Sequence, residues 1–525
     1  MYCISLHGVS FYAAERPFCR LVSYGPAPLN GAGAPGPIQP SHTRQPRPLE
    51  TSHSTFKTGT MAHIGIIGAG IAGLTTGYRL QREGHTVSIF EASDAIGGMI
   101  QSEQTAGFLV EHGPNSLRPT PATLPQMIAA LDLGDACVSA NEAAQTRFVV
   151  RDGTPHPLPM SPGAFLNTPL ISTAAKLRLL AEPFIRRGNL PDESVAGFVR
   201  RRLGPEILDY AVNPFVGGIF AGDPERLSLE HAFETLHTME QEHGSLFRAM
   251  IHEARHRSDD TDTNAPDAAP KGLFSFRKGL HTLPRALADA LGDAIHTHAP
   301  VRRLSSSNDR WTVTVRPPGG DPHIHAVDAV VSTVPLHQLG DLQLATDVDL
   351  SVFDTVPYPA VSVLALGYDR ADVAHPLDGF GMLVPEVEDD IRILGTLFSS
   401  TLFPGRAPDG QVLLTTFVGG MREPELGNAS IERLQAVVRR DLRNLLGVHG
   451  RPTFVRRVRW KHAIPQYRIG YGGVTDALRR LEDAHPGLFF AGNYRAGISV
   501  GDTMASGTDA AKAVVEHLGS LKTVA

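Results

Sequence analysis

The chain contains the stretch His63-Ile-Gly-Ile-Ile-Gly-Ala-Gly-Ile-Ala-Gly-Leu74, which has the form of a dinucleotide-binding turn. Its apolar residues from 64 to 67 predict a short buried strand, and Gly68 permits the tight turn that follows. Gly70 has no side chain to hold the backbone away from a pyrophosphate, and Gly73 allows the next helix to pack closely. The phosphates would lie at the N-terminus of this helix, where unpaired N–H groups and the positive end of the helix dipole attract negative charge.

An acidic residue follows this turn at a suitable distance. A second predicted strand, Thr86-Val-Ser-Ile-Phe90, ends at Glu91, 18 residues beyond Gly73, and a spacing of about 20 is typical of the motif. A carboxylate here accepts hydrogen bonds from a ribose diol and repels the 2′-phosphate of NADP. Strand, turn, helix, strand and acid occur in the required order, so we predict a bound dinucleotide, and these residues fit both FAD and NAD.

A pair of glycines after the acid favours FAD. In Glu91-Ala-Ser-Asp-Ala-Ile-Gly-Gly98 the pair resembles the second fingerprint of amine-oxidase-like flavoproteins, which NAD dehydrogenases generally lack. That family usually has a basic residue after the pair, where this chain has Met99. One polar contact of the family is therefore not expected here, although the backbone contact is.

Length and composition exclude several classes of protein. A chain of 525 residues is long enough for a large core and for two to four domains. The net charge is −6 and the sequence has no long basic run, so a nucleic-acid partner is not expected. The three cysteines, Cys3, Cys19 and Cys137, are too few and too scattered for a disulfide framework or a metal site. A reducing, cytoplasm-facing compartment and no bound metal are the expectations that follow.

Residues 1–60 differ in composition from the rest of the chain. They are rich in Pro, Gly and Ser and contain few acidic residues. Three interpretations fit them: a disordered tail, an organelle transit peptide, or an over-long start with Met61 as the true first residue. We favour the third, because the cofactor strand begins just after Met61. The sequence contains no run of 18 or more consecutive apolar residues, so it predicts no helix that crosses a bilayer.

The remaining pattern predicts an α/β protein whose cofactor domain is built from separate segments. We expect a Rossmann-like FAD-binding domain, a β-sheet substrate domain and an inserted helical region that faces a membrane. The helices at 172–180 and 194–203 carry apolar residues on one face and basic residues on another. This pattern favours ordinary packed helices, and the alternative is an interfacial surface on anionic lipid that includes Phe165, Leu166 and Phe184. The predicted segments are 61–120, 271–345 and 466–525 for the FAD-binding domain, 121–270 for the helical region and 346–465 for the substrate sheet.

From Met61 onward the chain resembles the oxygen-dependent protoporphyrinogen oxidases, which are FAD enzymes of late heme synthesis. The cofactor segments alone resemble any amine-oxidase-like flavoprotein, whereas the segments between them resemble the porphyrinogen branch. The matching segments are Glu111-His-Gly-Pro-Asn-Ser116, Gln145-Thr-Arg-Phe148, Gly218-Ile-Phe-Ala-Gly-Asp223, Gly379-Phe-Gly-Met-Leu-Val-Pro385, Leu394-Gly-Thr-Leu-Phe-Ser-Ser400 and Ile464-Pro-Gln-Tyr467.

The resemblance implies a set of FAD-binding residues. Most would contact the cofactor through the backbone, and for Val301 a buried strand position is an equally good interpretation. The set comprises Gly68, Gly70, Ile71, Ala72 and Gly73 at the pyrophosphate, Glu91 and Ala92 at the ribose, Gly97, Gly98 and Met99 beside them, Gly113, Pro114, Asn115 and Ser116 along the flavin, Val301 at the adenine, and Gly492, Ile498, Ser499 and Val500 past the flavin ring.

The resemblance also implies substrate-binding residues. Arg147 would pair with a propionate, because a guanidinium can form two parallel hydrogen bonds with a carboxylate. The backbone carbonyl of Gly218 would orient the pyrrole N–H groups. Phe398, with Phe380 and Leu383, would form an apolar slot for the macrocycle. Plainer interpretations also exist: Arg147 as a solvated charge, and Gly218 as part of a tight turn. The residues Phe398, Phe380 and Leu383 would then be core side chains.

The implied reaction is a six-electron oxidation of protoporphyrinogen IX to protoporphyrin IX, with dioxygen as the acceptor and hydrogen peroxide as a product. No acid–base constellation is expected, and Lys461 is interpreted as a surface residue in preference to a flavin neighbour. Further expectations are hand-off to a ferrochelatase, attachment to the cytoplasmic face of the inner membrane and a homodimer.

Three alternative functions stay open. Coproporphyrinogen III oxidation uses nearly the same motifs, and Arg118 could bind an additional carboxylate of that substrate. An amine oxidase or carotenoid desaturase would share the fold but lack the Gly379–Pro385 pattern. A non-catalytic flavin-binding protein would hold FAD without turnover.

Overall fold

The computed structural model describes residues 61–256, 269–307, 310–495 and 497–524. The interpretations of residues 1–60 concern a part of the chain outside this description. The strands are β1 His63–Ile67, β2 Thr86–Phe90, β3 Ser102–Thr105, β4 Phe108–Glu111, β5 Cys137–Ser139, β6 Arg147–Arg151, β7 Thr154–Pro157, β8 Phe274–Phe276, β9 Ile295–His296, β10 Val301–Ser307, β11 Arg310–Val315, β12 His323–Val327, β13 Ala329–Ser332, β14 Gln343–Leu344, β15 Val361–Asp369, β16 Gly381–Leu383, β17 Ile393–Phe398, β18 Gln411–Gly419, β19 Phe454–Trp460 and β20 Leu488–Phe490.

Most of the helices lie between β7 and β8 or near the two ends of the described chain. They are α1 Ile71–Arg82, α2 Thr123–Ala130, α3 Pro162–Asn167, α4 Thr173–Leu180, α5 Val195–Arg202, α6 Pro205–Ile207, α7 Asn213–Phe220, α8 Leu229–Ala232, α9 Glu234–His243, α10 Leu246–His256, α11 Thr282–Leu291, α12 Ser399–Leu402, α13 Pro424–Gly427, α14 Ile431–Leu446, α15 Gly472–Ala484 and α16 Val500–Val524. A π-helical turn at Leu208–Val212 precedes α7.

A parallel sheet with the strand order β20-β13-β1-β2-β9 forms the cofactor half. Its central strand β1 is fully apolar from Ile64 onward apart from Gly65, because both faces of a parallel sheet are covered. Helix α1 lies against α16, and the Thr76 hydroxyl donates a hydrogen bond to the carbonyl of Gly507 at 2.9 Å. The sheet therefore combines strands from 61–120, 271–345 and 466–525. This arrangement agrees with the predicted α/β class.

A larger sheet, with the order β19-β15-β18-β17-β16-β6-β7, forms the second half. Helix α14 covers one face: it begins after the capping residue Ser430 and ends at Gly447, which has φ +58°. The buried side chains of α14 pack with those of β15 and β18 in one core cluster. The opposite face of this sheet is turned toward the cofactor half.

The range 121–270 is mainly helical, but it also supplies strands to this larger sheet. Strand β6 pairs in parallel with β16, and β7 forms the edge beyond it. Two prolines in β7, Pro155 and Pro157, suit an edge because proline has no N–H group for a further strand. The larger sheet therefore includes strands from outside 346–465, the segment that the sequence predicted for it.

A buried ion-pair network joins the helices of this region. Arg202 of α5 is 0% exposed, and its guanidinium contacts the carboxylates of Glu182, at 2.8 Å, and Glu240. Glu182 also accepts hydrogen bonds from the Ser245 hydroxyl at 2.6 Å and the Leu246 N–H at 3.0 Å. The network ties α5 to α9 and to the start of α10.

Candidate functional site

The turn between β1 and α1 forms an open cradle. Gly68 has φ +100°, a backbone conformation that favours glycine. A Cβ atom added to Gly70 would meet no protein atom within 4 Å. Among the described residues no side chain caps the N-terminus of α1, so its first N–H groups can serve a ligand. A phosphate group fits this space and these donors.

Gly73 supports the cradle from behind and does not line it. A Cβ atom at this position would lie 2.0 Å from the carbonyl oxygen of Gly68. Only glycine allows α1 to begin this close to the preceding turn. The motif predicted this packing role and the structure confirms it, whereas the family resemblance had also placed Gly73 among the residues at the pyrophosphate.

The Glu91 carboxylate is held at the end of β2. One oxygen accepts a hydrogen bond from the Ala69 N–H at 2.8 Å, and the other accepts one from the Ser93 N–H at 2.9 Å. Val301, at the start of β10, is a buried strand residue that lines the same region. The N–H groups of Ala69 and Ser93 thus hold the Glu91 carboxylate beside the cradle, where a ribose would lie.

The second glycine pair packs onto the first turn. The Gly97 N–H donates to the carbonyl of Ala69 at 2.8 Å. Gly97 and Gly98 have φ values of +93° and +58°, and a Cβ atom on Gly98 would lie 3.3 Å from the Cα of Gly70. The two fingerprints predicted from sequence are therefore one continuous backbone surface.

Two further loops complete the cofactor side. In the first, a Cβ atom on Gly113 would lie 2.2 Å from the carbonyl oxygen of Met99, so the loop packs against the glycine pair. In the second, the Ser499 hydroxyl accepts a hydrogen bond from the Asp502 N–H at 3.0 Å and begins α16. The N-termini of α1 and α16 thus border the same cavity.

One cavity of about 1440 Å³ extends from this cradle to the larger sheet. Most of the residues that the sequence singled out line it. They are Gly68, Gly70, Ile71, Ala72, Glu91, Ala92, Gly97, Gly98, Met99, Gly113, Pro114, Asn115, Ser116, Val301, Gly492, Ile498, Ser499 and Val500 on the cofactor side, and Arg147, Gly218, Phe380 and Leu383 on the other. A cofactor in the cradle and a substrate at the sheet would share this space.

Arg147 lies at the sheet end of the cavity. It begins β6, directly opposite Gly381 of β16, and its guanidinium carbon is 5.1 Å from the centroid of the Phe380 ring. Burial and the neighbouring positive charge of Arg118 both lower the pKa of Arg147. Among the described residues no carboxylate forms an ion pair with Arg147, which suits a group that binds an external anion.

Gly218 occupies the last turn of α7. The carbonyl groups in the last turn of a helix lack intrahelical partners, so this one can accept a hydrogen bond from a ligand. A Cβ atom on Gly218 would come within 2.6 Å of a Leu383 methyl group. The absence of a side chain therefore keeps α7 close to the sheet.

Phe398 is not part of the cavity wall, and this corrects its predicted place in the slot. It pairs with Leu414 of β18, on the face that α14 covers, and it is 0% exposed. Alternate residues of a strand point to opposite faces, so its neighbour Leu397 points into the cavity instead. Phe380 and Leu383 do line the cavity. Lys461 is exposed and does not line it, as expected for a surface lysine.

The motifs did not indicate several apolar wall residues. Val361, Leu397, Phe417 and Trp460 line the cavity from β15, β17, β18 and β19. The only sequence signal for them is strand alternation, which shows that a side chain shares a face but not which face meets the cofactor. Outside the cavity wall, the carboxylate of Glu111 is buried against Arg406 at 3.0 Å. Desolvation raises the pKa of Glu111, and the pair joins β4 to the segment before β18.

Comparison with known proteins is consistent with this geometry. The family of flavin-containing amine oxidoreductases matches residues 71–515. The mitochondrial protoporphyrinogen oxidase of Nicotiana tabacum is 35% identical over 501 residues, which cover 90% of this chain and 98% of the relative. The coproporphyrinogen III oxidase of Bacillus subtilis (strain 168) is 27% identical and covers 87% of this chain and 99% of the relative.

The fold is also shared with solved structures. A protein from Exiguobacterium sp. 255-15, assigned provisionally as a protoporphyrinogen oxidase, superposes with a TM-score of 0.72 at 23% identity, covering 87% of this chain and 99% of that one. At this identity the likeness concerns the fold alone. The family match supports a flavin cofactor, and the cradle has the form to hold a dinucleotide. The chain belongs to the flavin-containing amine oxidoreductases, in the branch that contains the protoporphyrinogen oxidases, and it is an oxidoreductase.

Proposed function

We propose that this oxidoreductase binds FAD and oxidises a porphyrinogen, protoporphyrinogen IX in the first place, as a step of heme biosynthesis. The observation that carries the proposal is the single cavity that joins the dinucleotide cradle to Arg147 and an apolar sheet face. The names of the plant and bacterial relatives support the substrate class. FAD is favoured over a shorter flavin because the cavity continues past the phosphate cradle to Glu91 and Val301, where an adenosine would lie.

The residues at the sheet end would orient the substrate. Arg147 would bind one propionate through two parallel hydrogen bonds, which fixes both the position and the rotation of the carboxylate. Leu383 and Leu397 would contact the macrocycle by dispersion. The carbonyl of Gly218, at the negative end of α7, would accept hydrogen bonds from the pyrrole N–H groups. These contacts would hold one face of the substrate toward the cofactor side of the cavity.

The proposed reaction is protoporphyrinogen IX plus three dioxygen molecules giving protoporphyrin IX and three hydrogen peroxide molecules. When bound, FAD accepts two electrons, and dioxygen reoxidises the reduced flavin. Each of three rounds removes a hydride and a proton from the substrate, which amounts to six electrons in all. The role of the protein is orientation, and the protons released by the pyrrole nitrogens pass to solvent.

Coproporphyrinogen III is the second candidate substrate. It carries four propionates instead of two, and the name of the Bacillus subtilis relative supports it. An amine oxidase or a carotenoid desaturase is less well supported, because neither substrate class carries a carboxylate for the half-buried Arg147 to bind. A non-catalytic flavin protein would bind FAD without turnover of either porphyrinogen. The parallel use of both porphyrinogens in the assay below separates these outcomes.

We expect Arg147→Ala to raise the KM for protoporphyrinogen IX by about 10- to 100-fold, because a hydrogen-bonded charge contributes about 1.5–3 kcal/mol. Porphyrin fluorescence, followed in air from protoporphyrinogen IX and coproporphyrinogen III in parallel, gives the rates, and a peroxide assay gives the stoichiometry. Arg147→Lys, which keeps the charge without the planar guanidinium group, should raise the KM less than Arg147→Ala does. Bound flavin should be unchanged in both variants. An equal loss of flavin and of substrate affinity would contradict the assignment of Arg147.

We also propose a peripheral attachment to the cytoplasmic face of a membrane, with hand-off of the product to a ferrochelatase. None of the helices in the described part of the chain has the length and apolar character to cross a bilayer. The support lies in α3, α4 and the turn after them, where Leu166 and Phe184 are 69% and 84% exposed and Phe165 is half-buried. Exposed arginines, Arg186 and Arg187, follow directly. Apolar side chains beside positive charge suit an anionic lipid surface.

Vesicle sedimentation tests this attachment. The wild-type protein should sediment with vesicles of phosphatidylglycerol and phosphatidylcholine, and the double substitution Leu166→Ser with Phe184→Ser should weaken binding by about tenfold or more, since burying such side chains contributes about 1.5–3 kcal/mol each. Ile324→Ser is the control, because Ile324 is equally exposed but lies on β12. Wild-type protein that stays in the supernatant would refute the attachment.

A further inference from the structure

Arg118 occupies a fixed place beside the substrate end of the cavity. The preceding residue, Leu117, exchanges two backbone hydrogen bonds with Phe274, at 2.8 and 2.9 Å. These bonds anchor the loop between β4 and α2 to β8. The anchored loop presents half-buried Arg118 to the cavity wall, together with Leu273 from the segment before β8.

The two arginines form a pair of like charges. Arg147 starts β6, Arg118 lies in the loop after β4, and both side chains line the same cavity. The positive charge of Arg118 contributes to the lowered pKa of Arg147, and no carboxylate is among the causes of that shift. Two neighbouring guanidinium groups in a largely apolar space repel one another, and an anion that contacts both removes that repulsion.

The surroundings define the ligand that such a pair would take. Phe380 stacks against Arg147, and Leu383 and Leu397 continue the wall beyond it. A small inorganic anion would leave this apolar wall without a partner. The geometry instead suits a large apolar body that carries two carboxylates on one edge.

We infer that Arg118 and Arg147 together bind two neighbouring carboxylates of the substrate, so that Arg118 is a specificity-determining residue of this chain. The inference rests on the proposed function and extends it. Protoporphyrinogen IX has this form, since its two propionates lie on adjacent pyrrole rings and its other edge is apolar. The pair therefore fixes which edge of the macrocycle enters the sheet end of the cavity, and with it which edge lies away from the charges.

Binding of the stable product separates this role from catalysis. Affinities of the flavin-loaded protein for protoporphyrin IX and for its dimethyl ester, measured by fluorescence titration, compare a ligand with two carboxylates to one with none. We expect Arg118→Ala to weaken the diacid by about tenfold and the ester by less than twofold, because only the diacid makes charge-assisted hydrogen bonds. Arg118→Lys should keep part of the preference. Arg479→Ala, an exposed residue of α15, removes the same charge far from the cavity and should change neither affinity.

Each outcome decides the inference. Equal weakening of diacid and ester by Arg118→Ala, no weakening, or no preference for the diacid in the wild-type protein would overturn it. Turnover of porphyrinogens, assayed separately, tests the proposed function: a wild-type protein that binds the diacid through Arg118 but oxidises no porphyrinogen would refute the function and keep the paired site. An active protein in which Arg118→Ala leaves the diacid affinity and KM unchanged would keep the proposed function and refute the paired site.

Discussion

Replacement of Gly73 by alanine is expected to abolish flavin binding and to destabilise the protein itself, whereas replacement of Gly70 is expected to abolish flavin binding alone. The added methyl group of Gly73→Ala would lie 2.0 Å from a backbone oxygen, which cannot move without displacing α1. The methyl group of Gly70→Ala meets no protein atom, but it enters the space in which the pyrophosphate would lie. The Gly70 backbone is extended, with φ −72°, and accepts alanine without strain.

Equilibrium binding of FAD and thermal unfolding of the flavin-free protein distinguish the two glycines. We expect both variants to bind FAD at least about 100-fold more weakly. In Gly70→Ala the methyl group would displace the phosphate from its N–H donors, and in Gly73→Ala the displacement of α1 would move the donors themselves. Only Gly73→Ala should lower the melting temperature of the flavin-free protein. Gly473→Ala is the matched control, since an added Cβ there meets no atom within 4 Å on exposed α15. FMN, titrated in parallel, should bind more weakly than FAD; tight FAD binding by Gly70→Ala would contradict the cradle.

The second large effect is expected at Arg202. Methionine at this position keeps most of the side-chain volume but leaves the carboxylate of Glu182 buried without its cation, whereas Glu240 keeps its ion pair with Arg201. Breaking a buried ion pair on one side typically costs about 3–5 kcal/mol. We expect Arg202→Met to lower the free energy of unfolding by this amount, measured as a shift of the urea midpoint.

The same helix provides the control. Arg200 pairs with Glu225 at the surface, where both side chains are about half exposed, and such pairs contribute at most about 1 kcal/mol. Arg200→Ala should therefore shift the midpoint little. The double variant with Arg202→Met and Glu182→Gln should recover part of the loss, because it also removes the charge that Arg202→Met leaves unpaired. Equal effects of the changes at Arg202 and Arg200 would show that burial of the network has no energetic consequence.

The cofactor half could be predicted from sequence because its chemistry depends on backbone geometry. Gly68, Gly70 and the pair Gly97 and Gly98 are required wherever a phosphate approaches the chain, so their spacing is readable without a structure. The motif also gave Gly70 and Gly73 different roles, the approach of a phosphate and the close packing of the helix. The family resemblance, which placed both at the pyrophosphate, did not separate them. In the structure a Cβ atom would meet the protein at Gly73 and open space at Gly70.

The substrate half was predicted less completely, because strand alternation fixes faces only relative to one another. Phe398 and Leu397 are adjacent, and one residue of error exchanges the core for the cavity wall. The placement of β6 beside β16 has no local signal, since parallel pairing joins residues far apart in the chain. The pairing brings Arg147 to the cavity and to Arg118, which sequence had considered only as a site for additional carboxylates.

The position of β20 has a consequence for biogenesis. This strand lies beside β13 in the cofactor sheet, and α16, which follows it, provides the second helix N-terminus at the cavity. A polypeptide is synthesised from its N-terminus, and its domains fold as their residues emerge. Although the first cradle residues are translated early, their sheet stays incomplete until β20 has left the ribosome. We therefore expect flavin binding to follow the synthesis of β20, so that chains interrupted before this strand should not retain the cofactor.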